Sequence, residues 1–372
     1  KGCHYKGGFD TVSIYLQNNP DSHFFASKGL ILGGSHSPFP LNRNAHCGDL
    51  SAVLLQNLNP LVNLIRVPDK KIILMDEWES KIKAIVESTW KTDVNSLSGV
   101  PSWMLVLIKA VLQKTGSEYL TDVWPNMEVF FHGGISFEPY RDQYKALIPS
   151  DRMHYMETYN ASEGFFGLQD NPEEHSLLLM IDYSVFYEFI PINEVGEEHP
   201  TVLPLEAVEV GKNYAMVITT SGGLWRYQIG DTVRFTSLYP HKFVISGRTK
   251  NFINAFGEEL MVDNADKAIS RVCRQTGAKV KEYTAAPLFM LDKAKGRHQW
   301  MIEFEKMPPS LDDFASLLDK TLQQLNSDYE AKRYKEISLQ PLEIRVAREG
   351  TFYEWLRRKG KLGGQHKIPR LS

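Results

Sequence analysis

The chain has 372 residues, 42% of them hydrophobic and 23% charged, with a formal net charge of −3. That length supports a large core and two domains, and the near-neutral balance excludes a general electrostatic footprint for nucleic acid or an anionic membrane. Cysteine occurs only at positions 3, 47 and 273, too dispersed and odd in number for a disulfide framework or a zinc site, so a reducing, cytoplasmic setting is expected.

No apolar run approaches the roughly 20 residues of a membrane span, and no secretory signal is visible. In chain order, Leu30-Ile31-Leu32 reads as a strand ending at Gly33-Gly34. Residues 49–58 carry Leu50, Val53, Leu54 and Leu58 at helical spacing, and residues 78–90 repeat Ile82, Ile85 and Val86 in the same way. Residues 101–114 read as a helix with Pro101 in its first turn. Its Trp103, Met104, Leu107, Ile108 and Val111 make an apolar face, which serves either the core or a pocket wall.

Val129-Phe130-Phe131 reads as a strand ending at Gly133-Gly134, and residues 153–158 as another. Strands alternating with helices predict sheets covered by helices. Residues 177–189 and 214–235 are mostly strand and turn, a β-barrel or an antiparallel sheet. After Gly247-Arg248 the pattern restarts. It gives a helix over 263–275 ended by Gly277, strands over 280–290 and 299–304, a helix over 311–325 capped by Ser310, and a last strand near 337–346. The expected fold is therefore α/β. A large N-terminal domain of helix-covered β-sheets with a β-barrel-like part spans 1–247, and a small mobile α+β C-terminal domain spans 248–372.

Four segments carry chemistry. His132-Gly133-Gly134-Ile135-Ser136 follows a strand, where glycines let a flat ring or a phosphate lie against the backbone. Tyr159-Asn160-Ala161-Ser162-Glu163-Gly164 offers a ring to stack on a purine, a hydroxyl for phosphate and a carboxylate for Mg²⁺; the alternative is a capped turn before a helix. Trp225-Arg226-Tyr227-Gln228-Ile229-Gly230-Asp231 places a carboxylate in a turn, able to accept from both ribose hydroxyls or from its own backbone. Gly363-Gly364-Gln365-His366-Lys367 puts a lysine on a glycine-containing tail that reaches a cleft or is simply a disordered basic tail. The cluster Arg357-Arg358-Lys359 with Lys361 is local and suits a solvated helix end.

In this order the segments resemble the adenylate-forming superfamily of acyl- and aryl-CoA ligases, luciferases and peptide-synthetase adenylation domains. The detail is most similar to the GH3 family of acyl acid–amido synthetases. Tyr159 to Phe166 matches a Tyr, two spacers, Ser-Glu and a Phe. Arg226-Tyr227-Gln228-Ile229-Gly230-Asp231 is similar to a Tyr-Arg-x-Gly-Asp motif with its first two residues exchanged. Gln365-His366-Lys367-Ile368-Pro369-Arg370 is similar to the family's C-terminus.

The resemblance implies ATP and Mg²⁺ as cofactors, and a small carboxylic acid and an amino acid as substrates. It implies no obligate protein partner, no nucleic acid and no membrane. Gly133, Gly134 and Ser136 would lie along adenine, Tyr159 would stack on it, and Ser162 would approach the α-phosphate. Glu163 would bind Mg²⁺, Asp231 the ribose, and Arg248 the ribose or phosphate. Lys250 would be the hinge and Lys367 the lysine of the adenylating state. Trp103 and Met104 are the expected acyl-pocket wall. The family's Ser/Thr/Gly-rich phosphate loop is not found, and Gly33-Gly34-Ser35-His36-Ser37 lacks the following Thr-Gly and Lys. A segment carrying that loop is expected upstream of Lys1, the alternative being an impaired homologue. The implied activity is ATP-dependent acid–amino acid ligation releasing pyrophosphate and AMP. An acyl-CoA ligase and a non-catalytic nucleotide-binding homologue are the alternatives.

Overall fold

The computed structural model describes residues 2–371 apart from 35, 40, 41, 139, 250, 251, 254, 256, 257, 259, 290–295, 334–338 and 360–367. The chain folds as two compact units, one built on Lys1–Val185 with Pro240–Lys242 and the other on Phe186–Tyr239 with Phe243–Lys361 and the C-terminal residues.

The first unit opens with helix α1 (Gly2–Asn18). It rests on the sheet through a glycine, because a side chain at Gly7 would overlap the Phe165 ring. Strand β1 (Lys28–Ile31), the hairpin β2 (His36–Phe39) and β3 (Asn42–Gly48), and helix α2 (Leu50–Gln56) follow. Next come β4 (Arg66–Val67), α3 (Lys70–Ile73), α4 (Trp78–Thr89) and β5 (Val94–Gly99). Then come α5 (Pro101–Thr115), α6 (Leu120–Val123), β6 (Val129–Gly133) and α7 (Arg141–Leu147). The hairpin of β7 (His154–Ala161) and β8 (Gly164–Leu168) and the short β9 (Leu177–Leu179) complete it.

The sheet of this unit is ordered β4-β1-β5-β6-β7-β8-β9. The first five strands are parallel and the last two return antiparallel. Helical crossovers between parallel strands explain the composition of β5, whose Val94, Asn95, Ser96 and Leu97 are all buried. Local chemistry sets the helix ends. Glu77 accepts from the backbone N–H of Glu79 and Ser80 at the start of α4, and α5 runs from Pro101 to a left-handed Gly116 at φ 69°. The Tyr144 hydroxyl of α7 donates to Pro101 O at 2.7 Å, which fixes the origin of α5.

The second unit continues with β10 (Val185–Pro191), β11 (Leu203–Pro204), β12 (Asn213–Thr220), β13 (Tyr227–Leu238) and β14 (His241–Arg248), in sheet order β11-β10-β12-β13-β14. After it come α8 (Val262–Thr276), β15 (Lys279–Phe289), β16 (Gly296–Lys306), α9 (Leu311–Leu325), α10 (Ser327–Arg333), β17 (Glu343–Val346) and α11 (Thr351–Arg358). Helices α8 and α9 pack with the β15-β16-β17 sheet around Trp300, Tyr283, Phe314, Leu318 and Tyr329. Ser310 caps α9 by accepting from Asp313 N, as expected. The last strand is shorter than expected, starting at Glu343, while residues 337 and 338 lie outside the described residues.

Three local expectations are corrected. Residues 159–164 do not precede a helix: Tyr159 lies within β7, which ends at Ala161, and Ser162-Glu163 form the β7–β8 turn. Asp231 does not sit in a turn but inside β13. The turn lies earlier, around Ser221 to Gly223. The tail after 367 is not free: Ile368 and Leu371 are buried, and Leu371 bridges to Ala285 of β15.

Asp231 owes its position to a bulge. Ala215 pairs with Thr232 and Val217 with Gln228, so Ile229, Gly230 and Asp231 together oppose Met216. Gly230 absorbs the extra residues at φ 85°, a conformation costing a β-carbon about 1–2 kcal/mol. Gly230→Ala should therefore lower the thermal midpoint of unfolding by a loss of about 1 kcal/mol. Gly222→Ala, at a glycine with ordinary φ and only a 3.5 Å neighbour at Thr220, should leave it nearly unchanged. Calorimetric melts of the two variants check this.

Candidate functional site

Because β1, β5, β6 and β7 run parallel, their carboxyl ends share one edge. That edge carries Gly33-Gly34 after β1, Gly99 at the end of β5, Gly133-Gly134 at the end of β6, and Ser162-Glu163 after β7. The chain visits β4 outside β1, then returns across it to β5 and continues outward to β7. This is a doubly wound order with its switch point between β1 and β5, the position at which open α/β sheets commonly bind ligands.

The glycines on this edge permit close approach. A side chain at Gly133 would overlap Thr158 O, and one at Gly34 would overlap the Asp49 carboxylate. A β-carbon at Gly99 would meet Leu32 O at 3.1 Å and Met104 Cε at 3.3 Å. Met104, expected to line an acyl pocket, is thus fully buried directly under the end of β5. Trp103, half-buried, packs edge-on against Trp78 of α4 with ring centroids 4.6 Å apart. Ser136 accepts from Glu138 N at 3.4 Å in the bend after Gly134.

Behind the Gly133 loop, His132 stacks on Phe137 at 4.3 Å. Burial, reinforced by the Arg141 charge, pushes its imidazole down to about 3, so it is neutral at physiological pH. Among the described residues, the Nδ1 of His132 and the hydroxyl of Tyr155 are both buried without a hydrogen-bond partner. Tyr159 is buried beside Phe166 at 5.1 Å, and the β7–β8 ladder slips at Tyr159/Asn160. Ser162 is exposed and Glu163 half-buried in the turn beyond it. His4 Nε2 donates to Ala161 O at 2.8 Å, holding the turn's base to α1.

Lys81 was not picked out from the sequence. It lies 1% exposed on the apolar stripe of α4, between Trp78 and Ile85. Its ammonium donates to Gly33 O at 2.7 Å and Gly34 O at 3.1 Å, while Ser51 Oγ accepts from Gly34 N at 2.8 Å. Burial pulls its pKa down to about 8, against an opposing pull from Asp49. A lysine interrupting an otherwise apolar helical stripe was the available signal.

In the second unit, Arg248 Nε pairs with Asp231 Oδ1 at 3.1 Å, so the two residues predicted for ribose and phosphate are neighbours. Arg248 also donates to Ile229 O at 3.4 Å, and Thr249 N to Gly230 O at 2.8 Å, tying this segment to the bulge. Lys250 and Lys367 lie outside the described residues. The residues after Lys367 are anchored on β15: Arg370 O accepts from Ala285 N at 2.8 Å and Pro369 O from Thr284 Oγ1 at 2.6 Å. The Arg370 guanidinium lies over the Tyr283 ring at 4.5 Å, pairs with Glu282 and stands 4.0 Å from Asp266. No group of three metal-ligating side chains exists among the described residues, and none of their helices is long and apolar enough to cross a membrane.

A doubly wound parallel sheet with glycine loops along its carboxyl edge places the first unit among open-sheet α/β folds. Comparison with known proteins narrows the class. Residues 4–153 match the GH3 family N-terminal domain, 178–248 the central domain and 263–372 the C-terminal domain, in the family's order. The chain belongs to the GH3 family. It is 30% identical over 318 residues to the indole-3-acetic acid-amido synthetase GH3.4 of Arabidopsis thaliana, covering 77% of this chain and 51% of that protein. It is 27% identical over 336 residues to the 4-substituted benzoates-glutamate ligase GH3.12 of the same plant, covering 80% and 57%. The chain thus spans about half the length of the curated relatives it matches. Among solved structures, the GH3.15 acyl acid amido synthetase superposes with a TM-score of 0.75 at 17% identity, over 100% of this chain and 77% of that one. A 2-hydroxyisobutyryl-CoA ligase in its postadenylation state gives 0.55 at 13% identity, over 90% and 68%. The fold is therefore the mixed α/β fold of GH3 and other adenylate-forming ligases, as the sequence motifs implied.

Two outcomes follow from the geometry. Since the Lys81 pKa falls from 10.5 to about 8 on folding, the unfolded chain binds the extra proton between those values. Stability should then rise with pH across that window, by up to about 3 kcal/mol. Chemical denaturation at pH 8 and pH 10.5 checks this, and Lys81→Met should flatten the rise. Arg370→Met should cost about 2 kcal/mol of local stability, seen as faster hydrogen exchange at the Ala285 amide with α9 unaffected.

Proposed function

We propose that the protein is an ATP-dependent acyl acid–amido synthetase, joining a small carboxylic acid to the amine of an amino acid with release of pyrophosphate and AMP. The observation that carries this reading is the match to all three GH3 domains in order, with curated relatives that are amido synthetases. The acid's carboxylate attacks the α-phosphorus of ATP, giving an acyl adenylate and pyrophosphate. The amine then attacks the acyl carbonyl and AMP departs. Both steps need orientation and charge neutralisation more than covalent help from the protein.

Each named residue has a part in that scheme. Gly133, Gly134 and Ser136 leave space along adenine, and Tyr159 supplies the stacking ring. Ser162 meets the α-phosphate. Mg²⁺ supplies neutralisation of phosphate charge, and it is normally held by one or two carboxylates together with substrate phosphates, so the half-buried Glu163 suffices without a protein cage. Asp231 accepts from the ribose hydroxyls, and its present partner Arg248 turns to the ribose or phosphate. Lys367 enters during adenylation. The module after Arg248 rotates about Lys250 between the half-reactions, absorbing the change in a few backbone angles. Trp103 and Met104 wall the acid.

Pyrophosphate release by the full-length gene product, driven by a panel of acids, tests adenylation. Amide formation with amino acids against thioester formation with CoA then separates the synthetase from an acyl-CoA ligase. AMP binding without turnover would instead mark a non-catalytic homologue. Asp231→Ala should weaken ATP binding at least about tenfold, near 1.4 kcal/mol. An unchanged affinity would remove the ribose assignment.

A further inference from the structure

The Ser162-Glu163 turn has little to fix it from within. Ala161 pairs with Gly164 across the β7–β8 hairpin, so two residues close the loop. The turns favoured in such hairpins match the twist of the strands, and they need a positive φ at one or both central residues. Neither Ser162 nor Glu163 has one. A turn of the other kind splays its strands, and this ladder slips close by, between Tyr159 and Asn160. The geometry of the turn must therefore be set from outside the hairpin.

His4 supplies that outside support. It is buried in the first turn of α1, and its Nε2–H donates to Ala161 O at 2.8 Å. A carbonyl only accepts, so Nε2 carries the proton and Nδ1 is left to accept from the Cys3 thiol at 3.4 Å. Burial lowers the pKa of the imidazole, which keeps it in this neutral form at physiological pH. The helix that presents it is itself fixed to the sheet. Gly7 lies against the Phe165 ring, and the Tyr183 hydroxyl donates to Asp10 at 2.6 Å. Tyr15 is buried with Val129 of β6 and Met156 of β7. Helix α1 is a rigid mount, and through His4 it grips the last residue of β7 before the turn.

We infer that His4 is a positioning residue for magnesium-bound ATP: by holding Ala161 O it fixes the Ser162-Glu163 turn, so that the Ser162 hydroxyl and the Glu163 carboxylate are in place before the ligand arrives. The inference rests on the roles proposed above for those two residues. His4 touches neither the nucleotide nor the metal and acts only through the backbone of the turn. Its effect is preorganisation. A loose turn has to be ordered when the ligand binds, and that cost is subtracted from affinity. Groups that orient a metal's carboxylate ligand from behind act in the same way.

Variants of the full-length gene product separate this role from a merely structural one. His4→Ala removes the donor, and His4→Gln keeps an N–H at similar reach. Tyr183→Phe loosens α1 at Asp10, away from the turn, and Glu163→Gln removes the carboxylate itself. ATP binding is measured by calorimetry across a series of Mg²⁺ concentrations, alongside amide hydrogen exchange over residues 161–165 and pyrophosphate release. His4→Ala should raise the Mg²⁺ concentration for half-maximal ATP binding at least about tenfold, as Glu163→Gln should, while AMP affinity without Mg²⁺ stays within about threefold. It should also speed exchange across the turn. His4→Gln should recover most of both effects, and Tyr183→Phe should produce neither. His4→Asn, whose amide is too short to reach, replaces the alanine variant if that one does not fold. A His4→Ala protein that melts lower yet keeps the wild-type Mg²⁺ dependence would reduce His4 to a clamp of α1 and overturn the inference, as would an equal effect from Tyr183→Phe. An unchanged Mg²⁺ dependence in Glu163→Gln would overturn it together with the metal assignment. The His4 effect on ATP binding without pyrophosphate release from any acid would leave the inference standing and overturn the synthetase reading instead.

Discussion

Pairing of β1 with β4 on one side and β5 on the other sets the frame of the first unit. Both ladders are parallel, so each connection must cross the sheet and return to the same starting edge. The loops that leave the strands are thereby gathered at the opposite edge. Glycine at 34, 99 and 133 is then a packing requirement, since a side chain at any of them would meet a carbonyl, a carboxylate or the methionine below. Nothing about catalysis is needed to explain why the edge is bare.

What was legible in the sequence was whatever is fixed locally. The limits of α5 follow from Pro101 and Gly116, and α9 from Ser310 and its acidic first turn. Those signals act within a few residues and need no partner. Helix α1 carried no such punctuation and is laced with glycine, because it lies against Phe165 closely enough to need Gly7. Its reason for existing is more than 150 residues downstream, beyond any local pattern. Tyr159, Ser162 and Glu163 were legible as a group, but the element they occupy was not: Gly164 and Phe165 pair back onto Ala161 and Asn160 as a hairpin.

Asp231 shows how the local setting of a residue can be misread when only its chain neighbours are considered. Gly230 reads as a turn when only neighbours along the chain are considered. In the structure its left-handed backbone instead accommodates surplus residues in a long strand, and the ladder resumes at Thr232. A turn would leave the carboxylate on a loop with its own local hydrogen bonds. The bulge holds it between two paired stretches, with Arg248 brought alongside from β14. The ladder slip beside Tyr159 has the same character. Bulges re-aim side chains without the mobility of a loop, and their register depends on a partner strand that no single stretch of sequence names.

Arg248 is half-exposed and its carboxylate partner is not, with side-chain exposures of 52% and 16%. A pair so placed contributes little to stability, because water screens the exposed partner and competes for it. Its value must lie elsewhere. Asp231 is held in position by the bulge whether or not Arg248 is present, whereas Arg248 ends β14, directly before the segment leading to α8. The weak ion pair therefore ties the start of that segment to a rigid carboxylate by a bond that a competing ligand could exchange at small cost. Buried Lys81 is the converse case, a charge whose retention inside apolar surroundings is expensive and whose carbonyl partners only partly offset it.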